Sequence, residues 1–327
     1  MGVLIPAAGP ARVARVLAGR ALQGLGVAVL VSGLCFLVVQ RLPGDIAYRI
    51  AAGRYGYDLV DAEAAAGVRA ELGLDRPVWQ QLLAWLGDLL QLDFGRSLVT
   101  HQPVLSEVGY YLTGTLQLAA VALALAVVIG GTIGTAAGLR PASAIDRLTD
   151  LWVATVRALP AFLLGLLLIL VLSVHLDLLP SAGHGGATSI VLPATTLALG
   201  LSGLVARVTR DAVVEVRQSE YVRFARTKGL GERVVLVRHV ARNAVSVLVP
   251  YLGVQAVVLV EGVVVVEALF SWQGLGHALV HAVFWRDIPV LQATALVLAL
   301  LVVAVNAVVD LAVLWLDPRP RRQAVTS

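Results

Sequence analysis

The most informative stretch of the sequence is a basic segment that spans residues 207–244. Within it, the run Tyr-Val-Arg-Phe-Ala-Arg-Thr-Lys-Gly-Leu over residues 221–230 has the pattern of a short amphipathic helix that ends at a glycine. A second helix is predicted from Val234 to Asn243. A basic helix of this kind binds anionic lipid headgroups or docks into a cleft on a protein partner, and the composition alone favours neither role. The basic residues of the segment are Arg207, Arg210, Arg217, Arg223, Arg226, Lys228, Arg233, Arg238 and Arg242.

Lys228 is the only lysine in the chain, and this excludes one class of chemistry. A nucleotide-binding P-loop needs the sequence Gly-Lys-Ser/Thr, because its lysine reaches the β- and γ-phosphates. Lys228 is preceded by Thr227 and followed by Gly229 instead. The chain therefore has no P-loop. We predict no catalytic residue and no cofactor, and any ATP hydrolysis must come from a separate subunit.

Four polar residues in apolar surroundings are candidates for lining a translocation cavity. Glu261 lies in the middle of an apolar stretch, where a carboxylate is costly unless it faces a cavity or a partner. It could meet a cationic part of a substrate, or it could pair with Arg157. Glu267 lies near the end of the same stretch, and an architectural role is favoured for it. Asn306 and Asp310 share one helical face, which is typical of hydrogen bonding between helices.

Two further residue spacings give weaker indications of function. His277 and His281 are four residues apart and could ligate a metal, but no third ligand follows at a clear spacing, so we predict no metal site. Small residues recur at Gly130, Gly134 and Gly138, which allows close helix packing. That packing could be a moving interface with a partner or, with more support, a static contact within the chain.

The composition requires a membrane environment for these residues. The 327-residue chain is 58% hydrophobic and 14% charged, and soluble domains carry nearly twice that charged fraction. A bilayer core needs about 20 apolar residues in a helix. Because lipid leaves every backbone group to be satisfied internally, each span must be helical. Six spans are predicted, over residues 21–39, 112–138, 149–173, 190–207, 245–267 and 290–316.

The distribution of arginine predicts the orientation of these spans. The N-terminal segment 1–20, the 139–148 loop, the 207–244 segment and the tail 317–327 carry most of the basic residues, whereas loops 174–189 and 268–289 have almost none. The positive-inside rule places both termini in the cytoplasm and the long loop 40–111 outside. Residues 78–86 of that loop read as an amphipathic helix, and residues 112–316 form the predicted permease core. The net charge of +4 fits this topology and does not indicate nucleic-acid binding.

The basic segment also resembles a known motif. Residues 221–230, followed by Arg-x-x-x-Arg-Asn-Ala at 238–244, closely resemble the cytoplasmic coupling motif of ABC-importer permeases, and most closely that of the dipeptide/oligopeptide/nickel branch. The family commonly has proline where Gln273 stands. Other pieces of the chain resemble the same branch in the same order: Leu72–Pro77, Asp93–Ser97, Arg207 with Arg210, Glu267–Trp272, Gly274–Gly276, Asn306 with Asp310, and Asp317–Arg319.

The resemblance implies an all-α integral membrane protein with six transmembrane helices, in a bacterial inner membrane. It also implies a second homologous permease, two ATP-binding subunits and an extracytoplasmic substrate-binding protein as partners, in addition to membrane lipid. In that family the coupling segment enters a groove on the ATPase, with small residues at the positions of Ala225 and Gly229. The implied coupling residues are Tyr221, Arg223, Ala225, Arg226, Lys228, Gly229 and Leu230.

Two other functions are weighed against an importer of peptides, nickel or metal chelates. An ion-coupled secondary transporter usually has paired carboxylates in mid-membrane and broken helices in both halves. A chain with one clear mid-span carboxylate, Glu261, is a poor match for that class. A non-transporting membrane scaffold is the second alternative. Neighbouring genes for a second permease, a P-loop ATPase and a secreted binding protein would favour the importer.

Overall fold

A computed structural model describes residues 10–41, 44–56, 60–71, 77, 79–80, 87, 91, 93–183, 186, 188–229, 231, 234–235 and 242–316. All regular elements in these ranges are helices. They are α1 (Pro10–Arg41), α2 (Ile46–Tyr55), α3 (Ala62–Glu71), α4 (Val104–Leu139), α5 (Ala144–Ala158), α6 (Ala161–Leu168, continued by a π-helix over Ile169–His175), α7 (Val191–Gln218), α8 (Glu220–Thr227), α9 (Arg242–Leu269), α10 (Leu275–Trp285) and α11 (Ile288–Leu316).

Five of the helices are each long and apolar enough to cross a membrane: α1, α4, α7, α9 and α11. They correspond to the first, second, fourth, fifth and sixth predicted spans. Each helix extends past the apolar run that predicted it. For example, α4 begins eight residues before the predicted start at residue 112. Helices that are longer than the hydrocarbon core tilt or project beyond it.

The third predicted span, residues 149–173, is not one continuous helix, and that expectation is wrong. The chain forms α5 up to Ala158 and resumes as α6 at Ala161, and the two axes differ by 103°. Pro160 explains the break, because proline lacks an N–H group and disfavours a helical conformation in the residue before it. Leu159 is accordingly extended, with φ −94° and ψ 121°.

Helices α4 and α7 pack along the three regularly spaced glycines. A Cβ atom on Gly130 would lie 2.6 Å from the carbonyl oxygen of Ser202, and one on Gly138 would lie 2.8 Å from that of Arg210. Gly134 is the tightest of the three, since a Cβ on it would overlap the carbonyl oxygen of Ala206. Any larger residue would therefore separate the two helices. The glycine repeat makes a packing contact within the chain, as the better supported of the two alternatives predicts.

The same contacts fix the direction of the two helices. Gly130 meets Ser202 and Gly138 meets Arg210, so residue numbers rise together and α4 runs parallel to α7. The chain must therefore return across the bundle between the end of α4 and the start of α7. The bent pair α5–α6 lies in that interval. Counted as one crossing, it brings the number of spans to six.

Helices α1 and α11 run antiparallel. Gly24 of α1 lies against Leu300 and Val303 of α11, whereas the earlier residue Arg20 pairs with the later residue Asp310. The start of α1 and the end of α11 therefore lie on the same side of the bundle. This arrangement requires an even number of crossings and agrees with six.

The long loop is partly helical. Its helices α2 and α3 are joined by an ion pair between Arg69 and Asp45, at 2.5 Å, and Arg54 pairs with Glu71 at 2.6 Å. Most of the helix predicted over residues 78–86 lies outside the described residues. Helix α10 fills much of the segment 268–289, for which the sequence predicted only a connection.

Candidate coupling surface and transport face

The coupling helix, our name for α8, begins directly after α7 ends. Ser219 separates the two helices with an extended backbone, and its carbonyl oxygen accepts hydrogen bonds from the amides of Val222 and Arg223, both at 3.1 Å. One residue thus turns the chain from a long apolar helix into a short amphipathic one. The helix predicted over residues 221–230 ends earlier, at Thr227. Leu230 and most of the second predicted helix, over 234–243, lie outside the described residues.

The inner side of the coupling helix is anchored to its own chain. Val222 is fully buried and Ala225 is 5% exposed, and both pack with Ala212 and Val213 of α7. Ala225 therefore faces α7 and does not point away from the protein. Its small side chain allows the coupling helix to lie close against α7. The residue is therefore small because of packing within the chain, and not because of contact with the ATPase.

The outer side of the coupling helix is aromatic and basic. Tyr221 is 42% exposed and Phe224 is 61% exposed, and Arg223 and Arg226 are also exposed. The Nζ atom of Lys228 lies 4.5 Å from the centre of the Phe224 ring, within the range of a cation–π contact. Phe224 is not among the coupling residues that the sequence predicted. Its position could have indicated this role, because a residue three positions after Tyr221 lies on the same helical face.

Gly229 ends the coupling helix through its backbone conformation. Its φ is +78°, a region in which side chains other than glycine are strained. Its amide donates to the carbonyl oxygen of Arg226 at 2.9 Å. No atom of the described residues lies within 4 Å of where its Cβ would be, so the requirement for glycine at this position is conformational and not steric.

Helix α7 is braced against the start of α5. Arg210 donates two hydrogen bonds to Asp146, from Nε at 3.0 Å and from a terminal nitrogen at 2.9 Å. Asp146 is almost fully buried and also accepts from the amide of Ala142 at 2.8 Å. A second contact joins Arg217 to the carbonyl oxygen of Leu139 at 2.5 Å. The first contact links α7, which carries the coupling helix, to α5 of the bent pair, and the second links it to the end of α4.

Glu261 lies on an open face of α9. With Val254, Val258 and Val265 it forms a stripe at spacings of four, three and four residues, which places all four on one side of the helix. We call this stripe the transport face. The three valines are 47–56% exposed, and Glu261 is exposed as well. Within the described part of the chain, the Glu261 carboxylate has no hydrogen bond or ion pair, so the pairing considered with Arg157 is not formed.

Glu267 is an internal brace, and we remove it from the candidate cavity. It is fully buried, and its carboxylate accepts hydrogen bonds from the hydroxyl of Thr115 and the amide of Gly276, both at 2.7 Å. The carboxylate also lies so close to Gly274 that a Cβ there would overlap it. This explains the Glu267–Gly276 motif: the glycines leave room for a carboxylate that ties the end of α9 to α4 and α10. The turn forms with Gln273 in place of proline, and Gln273 accepts a hydrogen bond from Tyr110.

Asn306 and Asp310 are also occupied within the chain. Asn306 donates to the carbonyl oxygen of Val302 in its own helix at 2.8 Å. Asp310 accepts two hydrogen bonds from Arg20 of α1, at 2.6 and 2.8 Å, as a contact between helices would require. Of the four cavity candidates, Glu261 is the one whose side chain has no hydrogen bond or ion pair among the described residues.

Together these features define a multi-span membrane subunit with an anchored amphipathic helix that presents an aromatic, basic surface. Comparison with known proteins specifies the class. Residues 130–322 match the model of the family described as binding-protein-dependent transport system inner membrane component. The chain belongs to this family. It is a non-catalytic inner-membrane permease subunit of an ABC importer, whose ATPase is a separate subunit and whose substrate is delivered by a binding protein.

Curated relatives match along most of their length. A peptide transport system permease of Brucella abortus (strain 2308) is 37% identical over 310 residues, which cover 92% of this chain and 97% of the relative. The glutathione transport system permease GsiC of Salmonella paratyphi A is 38% identical over 293 residues, which cover 90% and 94%. A solved amino acid ABC transporter with histidines aligns with 63% of this chain and 92% of its own, at 18% identity and a TM-score of 0.49.

Proposed function

We propose that this permease imports peptides or a closely related small solute such as glutathione. The support is the names of the relatives, which are 37–38% identical over at least 90% of the chain. Nickel and metal chelates, which the sequence left open, have no such support among these relatives. The substrate would enter from the side of the long loop after release from the binding protein.

The proposed assembly contains a second homologous permease and two ATP-binding subunits. The transport face supports the permease partner, because a carboxylate exposed to lipid is costly and Glu261 has no partner among the residues that the structure describes. Between two permeases this stripe would line the translocation path. Glu261 would there attract a cationic part of the substrate, such as a peptide amino terminus.

The coupling helix is the single observation that carries the proposed mechanism. The helix is anchored through Val222 and Ala225, and it presents Tyr221 and Phe224 outward. A helix that transmits force from a partner to its own chain needs both an anchored side and an exposed side. ATP binding would close the ATPase pair and displace this helix. Helix α7 would move with it, and the Arg210–Asp146 contact would pass the motion to α5. The bundle would then alternate between inward and outward access.

The proposed orientation keeps the boundaries predicted from the sequence. Residues 1–20, the coupling segment 207–244 and the tail 317–327 would lie in the cytoplasm, and residues 40–111 outside. Residues 21–39 would form the first span and residues 112–316 the permease core. Both the arginine distribution and the shared side of the start of α1 and the end of α11 support this topology.

Removing the Phe224 ring tests this function. We expect Phe224→Ala to insert normally but to recover less ATPase subunit in a pull-down and to lower peptide uptake, because the ring is 61% exposed on the outer side of the coupling helix. Phe162→Ala is the matched control, since Phe162 is a 52% exposed phenylalanine on α6. Equal recovery of the ATPase by both variants would exclude this surface as the docking site.

The substrate class has its own test. The assembled transporter with its binding protein, in proteoliposomes, should take up a radiolabelled dipeptide in an ATP-dependent manner, and excess unlabelled glutathione or tripeptide should reduce that uptake. Uptake of nickel salts without any uptake of peptide or glutathione would contradict the proposed substrate but leave the coupling mechanism unaffected.

A further inference from the structure

A cavity of about 310 Å³ lies on the side of the molecule that carries the long loop, apart from both the coupling helix and the transport face. It opens between the loop, the first turns of α4, helix α10 and the start of α11. The size is at the lower end for a ligand site and suits one side-chain-sized group better than a whole peptide. Its polar and aromatic lining residues are Thr100, Glu107, Tyr111, His277, His281, Trp285 and Asp287.

Glu107 has one carboxylate oxygen in this cavity that is not hydrogen-bonded to any described residue. Its Oε1 atom accepts a hydrogen bond from the Thr100 hydroxyl at 3.1 Å, but its Oε2 atom is buried and has no hydrogen-bond partner among the described residues. A buried carboxylate oxygen left in this state is costly, and a donor that entered the cavity would remove the cost. The residue therefore points to a ligand that donates hydrogen bonds.

The charge of the cavity is negative. Asp287 is 4% exposed and is held by hydrogen bonds from the Ser97 hydroxyl and from the amide of Leu98, the latter at 3.1 Å. It lies close enough to Glu107 for the two carboxylates to repel each other. Of the described residues that line the cavity, none is lysine or arginine. A cation between the two carboxylates would turn this repulsion into attraction.

The two histidines reinforce the preference for a donor. Their rings lie 4.3 Å apart on one face of α10. Burial and the neighbouring His281 lower the pKa of His277, which favours the neutral ring, and a neutral imidazole has one nitrogen that accepts hydrogen bonds. Within the described residues, no group of three or more metal-ligating side chains is assembled, which directs the assignment to an organic cation.

We propose that this cavity binds a positively charged nitrogen group, an alkylammonium or a guanidinium, with Glu107 as its charge partner. The site does not depend on the transported substrate. The group could belong to a free amine in solution or to a lysine or arginine of the docked binding protein, and both would present the same chemistry to Glu107. A guanidinium or ammonium also satisfies several acceptors at once, and the cavity offers them from α4 and α10.

The test uses a cysteine on the cavity wall. Val99 lines the cavity and is half-buried, so Val99→Cys is a mild change; Cys35→Ala removes the native thiol. The full transporter in nanodiscs is labelled with two methanethiosulfonates that share a reactive group, one with trimethylammonium and one with sulfonate. The measured quantity is the ratio of the labelling rate with the cationic reagent to the rate with the anionic reagent. This ratio should be roughly tenfold higher at Val99→Cys than at the control Ala70→Cys, which lies on the exposed surface of α3.

Two further measurements complete the test. Glu107→Gln should bring the ratio close to that of the control, and n-butylammonium should slow labelling of Val99→Cys while 1-butanol should not. The competition experiment keeps Glu107 intact, so it still tests the proposal if the Glu107→Gln variant fails to assemble. A ratio equal to the control, an unchanged ratio in Glu107→Gln, or equal effects of butylammonium and butanol would each overturn the proposal.

Protection of the same cysteine from labelling identifies the source of the cation. If the purified binding protein protects Val99→Cys, and Glu107→Gln removes that protection, the cation is a side chain of the binding protein. If butylammonium protects and the binding protein does not, the ligand is a free amine. Both results support a cation site, and they assign it to different partners.

Discussion

Ala225 and Gly229 are both small residues of the coupling segment, but the structure gives them different roles. Ala225 is buried against α7, whereas Gly229 is exposed and has a φ of +78°. The sequence showed that both positions are small. It could not show which way Ala225 faces, because that depends on where α7 ends and how Ser219 turns the chain. Side-chain direction at the coupling helix is a tertiary property.

Gly229→Glu should insert normally, abolish transport and weaken ATPase association. A residue with a Cβ at this φ costs roughly 1–2 kcal/mol, so the end of the coupling helix would change shape. Gly231→Glu is the matched control. Gly231 is also an exposed glycine in open space, but its φ lies outside the left-handed region. Uptake and an ATPase pull-down should separate the two variants, and wild-type values for Gly229→Glu would remove this turn from the coupling mechanism.

Glu261→Gln tests the transport face. If the carboxylate meets a cationic part of the substrate, uptake should fall several-fold while the complex assembles normally, since glutamine keeps the shape and removes the charge. Glu63→Gln in the long loop, at another exposed glutamate, should leave uptake unchanged. Poor assembly of Glu261→Gln would indicate an ion pair with a partner helix. Normal uptake by an intact complex would rule out both roles.

At the scale of elements, hydropathy located the five long apolar helices and the bent pair, but not the break within that pair. Residues 149–173 are apolar enough to predict a span, yet Pro160 divides them into two helices at 103°. The proline was visible in the sequence, and a proline inside a helical pattern predicts an end or a kink at the preceding residue. The angle was not predictable, because it depends on how α5 packs against α7.

The contact between α5 and α7 can be measured with a double-mutant cycle. Arg210→Met and Asp146→Asn should show a coupling energy of about 1–2 kcal/mol in denaturant unfolding of the purified permease, because the pair is bidentate and Asp146 is buried. This is less than for a fully buried pair, because the Arg210 side chain is 31% exposed.

Arg207 and Asp150 provide the control for that cycle. They join the same two helices but lie 3.9 Å apart, with side chains 58% and 68% exposed. Exposed pairs of this kind are worth about 0–1 kcal/mol. If both cycles give the same coupling energy, Arg210 and Asp146 are not a specific link between the helices, and the proposed path of motion from the coupling helix to α5 would fail.

For the whole molecule, the sequence predicted the five long apolar helices and the position of the bent pair, in the right order, because each depends on a local apolar run. It did not predict which polar groups remain available to other molecules. The sequence favoured an architectural role for Glu267 and a contact between helices for Asp310, but the partners, Thr115 and Arg20, come from distant parts of the chain and only the fold identifies them. For Glu261 the sequence left a cavity role and a pairing with Arg157 open, and the fold shows that this pairing is not formed.

The last prediction tests how the chain crosses the membrane. Cysteines at the exposed positions Ala66 of α3 and Thr227 of the coupling helix, each in a Cys35→Ala background, are separated by α4, the bent pair and α7. If the pair crosses, as the parallel course of α4 and α7 requires, three crossings place the cysteines on opposite sides. An impermeant maleimide should then label Ala66→Cys in intact cells and Thr227→Cys only after the cells are opened. Labelling of both from the same side would mean that α5 and α6 re-enter without crossing, and the reverse pattern would invert the proposed orientation.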